Sequence, residues 1–136
     1  MISPRELRIG NLVRCIVHLP IGYNRPSMIV ARISEINENS VETNKGIYRY
    51  RDIAPIFLTE NILINSGGNK VSDKEISFKD KNKIPTSEDF SVVIDSDKFY
   101  LNSKDYKDLS VNIESVHQFQ NIYYDLKGKE INIILT

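Results

Sequence analysis

The sequence predicts an α+β protein in which a small five-stranded β-barrel precedes an antiparallel sheet carrying two helices. Three observations predict this. Twenty isoleucines stand against two alanines in 136 residues, and β-branched side chains lose rotamer freedom on a helix while fitting the pleat of a strand. Turn-forming residues interrupt the first 58 residues roughly every eight to twelve positions, the rhythm of a small all-β unit. Apolar residues recur at helical spacing near the C-terminus, at Val116, Phe119, Ile122, Tyr123 and Leu126.

Along the chain, Ser3-Pro4-Arg5-Glu6-Leu7 reads as one helical turn, with Ser3 as its cap and Pro4 at the first helical position. Gly10-Asn11 opens a strand from Leu12 to Leu19, in which Val13, Cys15 and Val17 share the inner face and Arg14, Ile16 and His18 the outer one. A loop of turn formers, Pro20 to Pro26, leads to strands at Met28 to Ile36, Ser40 to Thr43 and Ile47 to Arg51. Asp52-Ile53-Ala54 reads as a tight turn before a fifth strand, Pro55 to Leu58. Residues 1–58 thus form a barrel of the SH3-like kind.

The second half, residues 59–136, is an α+β unit packed with the first as one body. Thr59 caps a helix from Glu60 to Ser66 that Gly67 ends, with Leu58 and Leu63 placed as a hydrophobic staple. A polar, lysine-rich stretch follows. It holds an edge strand at Glu75 to Lys79 and its least ordered residues at Asp80 to Lys83. Phe90 to Asp95 and Lys98 to Asn102 form a hairpin around Ser96-Asp97, and Leu109 to Ile113 is a short strand. Ser115 caps the last helix and Gly128 terminates it. Ile131 to Leu135 is apolar on nearly both faces and is expected inside a sheet.

Composition narrows the function. At 40% hydrophobic and 26% charged residues, the chain can bury a core without staples. Its longest apolar runs reach five or six residues, far from the roughly 20 that cross a bilayer, and the N-terminus lacks a signal-peptide pattern. Cys15 is a lone cysteine, so no internal disulfide forms and a cytoplasmic location is expected. Cys15 and His18 point to opposite faces of one strand and cannot pair as nucleophile and base. Neither histidine has a ligand-spaced partner for zinc. Asp95-Ser96-Asp97 lacks the offsets of a calcium loop, and Ser66-Gly67-Gly68-Asn69-Lys70 follows a helix where a phosphate loop would precede one. No catalytic residue, cofactor or metal is expected.

Two surfaces remain as candidates. The formal charge is zero, yet all seven arginines lie at or before Arg51 and ten of the eleven lysines from Lys70 onward. Residues 1–51 therefore carry +4 and the remainder −4. Arginine offers a flat fork suited to phosphate and carboxylate, which points to an anionic partner. Arg14, Arg25, Arg32, Arg49 and Arg51 with Tyr23, Tyr48 and Tyr50 could make a basic, aromatic surface that grips nucleic acid. The alternative is that the tyrosines face the core. On the last helix, His117, Gln120, Asn121 and Tyr124 line one face. That stripe reads first as a network bonded to neighbouring backbone and, alternatively, as a partner-facing surface.

Three segments, Glu6 to Val13, Ile53 to Glu60 and Val116 to Tyr124, together resemble an uncharacterised family common in Bacteroidetes phages, prophages and mobile elements. Ile62 and Gly68 stand where that family often shows aromatics. The resemblance implies a setting, not a reaction: a small accessory protein that binds a host protein or nucleoprotein complex as inhibitor or adaptor, for instance an anti-CRISPR protein. Direct RNA or DNA binding is the alternative. No membrane partner is expected.

Overall fold

The computed structural model describes residues 2–18, 27–78, 90–103 and 111–135. The chain divides into two compact units. One comprises Met1–Phe57 with Ser115–Asn121, the other Leu58–Glu114 with Ile122–Thr136. The sequence suggests a single division, after Leu58, whereas here the first turns of the last helix group with the N-terminal segment.

In the first unit, Pro4–Glu6 forms a 3-10 turn with Pro4 at its start; Ser3 precedes it in an extended conformation, but its side chain makes no capping bond. Four strands follow: β1 (Leu12–Val17), β2 (Ser27–Ile36), β3 (Ser40–Thr43) and β4 (Gly46–Arg49). A 3-10 turn, Tyr50–Asp52, leads into the two-residue β5 (Ile53–Ala54). All pairings are antiparallel, in the order β4-β3-β2-β1-β5. The inner face packs Val13, Cys15, Ala31, Ile33, Val41, Tyr50 and Ile53 into one core, as the period-two alternation requires.

Two expectations need correction here. The fourth strand stops at Arg49, because the Tyr50 ring turns into the core and its hydroxyl donates to the Asn37 carbonyl. The fifth strand comes earlier, at Ile53–Ala54, where Ile53 pairs with Cys15 and Ala54 with Arg14. Pro55 has no N–H to continue the ladder, and Pro55 to Leu58 contributes a single bridge between Phe57 and Ser115.

The second unit begins with α1 (Glu60–Asn65), whose cap Thr59 accepts a hydrogen bond at Oγ1 from the Ile62 N–H at 3.2 Å. Leu58 and Leu63 are both buried, as a staple requires. Strands β6 (Asn69–Ser72), β7 (Glu75–Phe78), β8 (Phe90–Asp95) and β9 (Lys98–Ser103) form an antiparallel sheet in chain order. β7 is therefore interior and not an edge, because β6, exposed throughout and polar but for Val71, pairs with its outer side. Ser96 and Asp97 turn the β8–β9 hairpin with φ of 51° and 64°, the paired positive values of a type I′ turn.

Beyond β9, the Leu101 N–H donates to the Val111 carbonyl (2.9 Å) and the Ile113 N–H to the Phe99 carbonyl (2.8 Å), so 111–113 lies along that strand. Leu109 and Ser110, like Lys79 and Asp80 to Lys83, fall outside the described residues. The expected strand at Ile131 to Leu135 forms no ladder among the described residues. Ile131 and Ile133 are buried in alternation, and the Ile134 N–H donates to Ser66 Oγ at 2.9 Å.

Helix α2 (Val116–Lys127) starts on a capping box. The Gln118 N–H donates to Ser115 Oγ, and the Ser115 N–H donates back to Gln118 Oε1. Phe119 is buried in the first unit, and Tyr123 meets the rings of Phe78 and Phe90 edge-on in the second. Among the described residues, no helix is long and apolar enough to cross a membrane.

Candidate partner-binding face

The outward residues of β1 and β2 are set by register. Arg14 lies opposite Val30, Ile16 opposite Met28 and Leu12 opposite Arg32, so Arg14, Ile16, Met28, Val30 and Arg32 share the face away from the core. Arg14 is held there from two sides. Its Nε donates to the Pro55 carbonyl at 2.9 Å, and its guanidinium carbon sits 5.5 Å from the Phe57 ring centroid. One terminal nitrogen approaches Met28 Sδ at 3.9 Å. Around this half-buried guanidinium, Phe57 is 66% exposed, Met28 42% and Val30 41%. An isolated exposed apolar side chain is ordinary, but several converging on one fixed cation make a patch.

The other arginines are distributed around the sheet. Arg32 is exposed and donates to the Gly10 carbonyl at 2.9 Å. Arg49, on β4 opposite Ser40, and Arg51, in the following 3-10 turn, are exposed. Among the described residues, none of these four arginines pairs with a carboxylate. Glu35 and Glu42 face each other across β2 and β3; a hydrogen bond with Glu35, reinforced by its charge, pushes the Glu42 carboxyl up. Tyr23 and Arg25 lie outside the described residues.

The tyrosines do not join this surface. Tyr50 is a core residue, and Tyr48 packs partly buried against the same core while its hydroxyl donates to the Lys45 carbonyl at 3.3 Å. Alternation does separate them from the arginines, but it turns their rings inward, so the stacking platform expected from Tyr48-Arg49-Tyr50-Arg51 is absent.

The helix stripe is likewise engaged internally, against its reading as a partner surface. Gln120, fully buried, accepts from the Leu12 N–H at 2.8 Å and donates to the Gly10 carbonyl at 3.1 Å. Asn121 Oδ1 accepts from Asn11 Nδ2 and Arg8 Nε, while its Nδ2 donates to the Glu6 carbonyl at 2.7 Å. His117 is 1% exposed and sits between Ser115 Oγ (3.1 Å) and Glu6 Oε2 (3.2 Å). Burial pushes its pKa down, partly offset by the Glu6 carboxylate. Tyr124 is exposed. The Val116 N–H also donates to the Ile56 carbonyl at 2.8 Å.

Cys15 is buried on the inner face of β1, and burial pushes its thiol up to about 11. His18 lies outside, 3.0 Å from Asp52 Oδ1. Among the described residues, no three His, Cys, Asp or Glu side chains group to hold a metal ion.

Sequence reasoning had Arg14 and Arg32 on this face but missed Met28, Val30 and Phe57. The signal was in the run Met28-Ile29-Val30-Ala31, which is apolar at both parities and so must expose half of itself on a one-sided sheet. Comparison with protein-family models, with curated proteins and with solved structures returns no match to this chain.

Proposed function

We propose that this chain is a non-enzymatic binding protein of phage or mobile-element origin. It acts in the host cytoplasm as an inhibitor or adaptor on a host protein or nucleoprotein complex, as an anti-CRISPR protein would. The observation that carries the binding reading is the outer face of β1 and β2, where Phe57, Met28 and Val30 stay exposed around the fixed Arg14. Such composition, apolar area with an arginine anchor, is that of interface hot spots. The phage setting rests on the three resembling segments. The SH3-like reading of the N-terminal unit draws support from its strand order, in which the meander returns β5 to the free side of β1.

The test is capture from host lysate with the tagged protein, alongside a Met28→Ser/Phe57→Ser variant. A specific protein retained by the wild type and lost from the variant supports the reading. Recovery of chaperones alone removes it.

A second reading, direct nucleic-acid binding, is favoured by the exposed Arg49 and Arg51, which pair with no carboxylate among the described residues. It requires retention of labelled RNA or DNA with steep salt dependence, abolished by Arg49→Ala with Arg51→Ala. No shift at low salt rules it out.

A further inference from the structure

We infer that the Arg14 face receives a protein segment that carries an acidic side chain flanked by large apolar ones. The inference rests on the binding reading above and names the chemistry of the partner.

Charge complementarity supplies the acidic element. Arg14 uses Nε on the Pro55 carbonyl and directs one terminal nitrogen to the weak acceptor Met28 Sδ. The remaining N–H donors of a guanidinium form a fork matched to a carboxylate. Among the described residues, no carboxylate reaches it. The same residues form its mount. With Nε tied to backbone and the plane held near the Phe57 ring, much of the ordering entropy an arginine loses on binding is already spent in the free protein.

The apolar element follows from what surrounds the fork. Phe57, Met28 and Val30 keep large exposed areas within reach of the guanidinium, and Ile16 adds a half-buried fourth. An ion pair on such a surface strengthens when apolar groups of the partner exclude water around it. A nucleic acid fits this less well. Its phosphates would meet Arg14 and Arg32, but its bases would find neither exposed tyrosine to stack on, since Tyr48 and Tyr50 pack on the core. Glu35, farther along β2, and Glu42 on the neighbouring β3 would repel its backbone.

The experiment is selection of a random peptide library on the immobilised full chain, with individual peptides measured by fluorescence anisotropy. Enriched peptides are expected to place Asp or Glu beside Leu, Ile, Phe or Met. Their affinity should fall ~10-fold or more on Arg14→Ala, and comparably on Phe57→Ser. Arg14→Lys should recover little, since an ammonium cannot reproduce the fork. Circular dichroism and thermal melting of each variant separate lost binding from lost folding. Should Arg14→Ala fail to fold, the decision passes to Phe57→Ser and Arg14→Lys. Enrichment of basic or uncharged peptides, or acidic peptides indifferent to these changes, overturns the inference, as does no enrichment at all. So does single-stranded RNA retained through Arg14 more tightly than any peptide. In each case lysate capture sensitive to Met28→Ser/Phe57→Ser remains a separate result, so the general binding reading stands or falls independently.

Discussion

Gln120 concentrates the residue-scale physics of the first unit. One buried amide satisfies both a backbone donor and a backbone acceptor, at Leu12 and Gly10. Replacing it with leucine keeps the bulk but leaves the Leu12 N–H buried without its acceptor, which costs about 1–3 kcal/mol, while the Gly10 carbonyl keeps the bond from Arg32. Gln120→Leu should therefore lower the urea midpoint of unfolding substantially, and Asn121→Ala should do so less because that side chain is half-exposed. His117 adds a pH dependence whose sign is fixed. Its folded pKa lies below the ordinary value, so the unfolded chain takes up the proton first as pH falls. Stability should be full above about pH 6.5 and decline on acidification toward the depressed folded value. Urea titrations between neutral and mildly acidic pH should show this decline in the wild type and a flatter profile in His117→Gln.

At the scale of elements, the end of α1 depends on a close approach. A Cβ on Gly68 would stand 2.5 Å from Ile76 Cγ2 and 2.7 Å from the Leu63 carbonyl oxygen. The Gly68 N–H also donates to that carbonyl at 2.9 Å, so neither side can retreat without breaking the helix terminus. Gly68→Ala is expected to cost about 1–3 kcal/mol, read as a lower melting temperature, while Gly67→Asn at the open, left-handed position should cost less. Elements specified by their own residues were legible in the sequence: the Thr59 cap, the β8–β9 hairpin and α2 with its Ser115 start all match. Those decided by partners were not. β6 is exposed at every position and polar at all but Val71, and it becomes a strand through pairing with β7. Ile131 to Leu135 has strand composition but no ladder, and its Ile134 N–H goes to a serine side chain. The Tyr48–Arg51 surface was misjudged because alternation separates two faces without saying which one is buried.

For the molecule as a whole, the N-terminal unit is not built from contiguous sequence. Residues Ser115–Asn121 belong to the same unit as Met1–Phe57, and they supply Gln120, Asn121 and His117 to the segment Glu6–Leu12. A fragment ending at Phe57 would keep every strand and lose every one of these partners. It is expected to give a poorly dispersed amide spectrum and a broad thermal transition, in contrast to the full chain. Cys15 offers a second readout, because its thiol is inert while the core is closed. Labelling by a thiol reagent should be slow in the full chain and fast in the fragment. The outer face around Arg14 was the least legible feature, since it is made of residues from separate strands that only register brings together.

The amide of Gln120 has one further consequence. β5 pairs with only Arg14 and Cys15 of β1, so beyond them the flank of β1 would present bare peptide groups to solvent. Gln120 offers an acceptor to the Leu12 N–H and a donor to the Gly10 carbonyl, the same pattern that a neighbouring strand would present. A side chain thus stands in for a strand, on a helix segment that covers an edge which could otherwise recruit another copy of the chain. The fragment ending at Phe57, which lacks this cover, should therefore self-associate with rising concentration, as followed by light scattering.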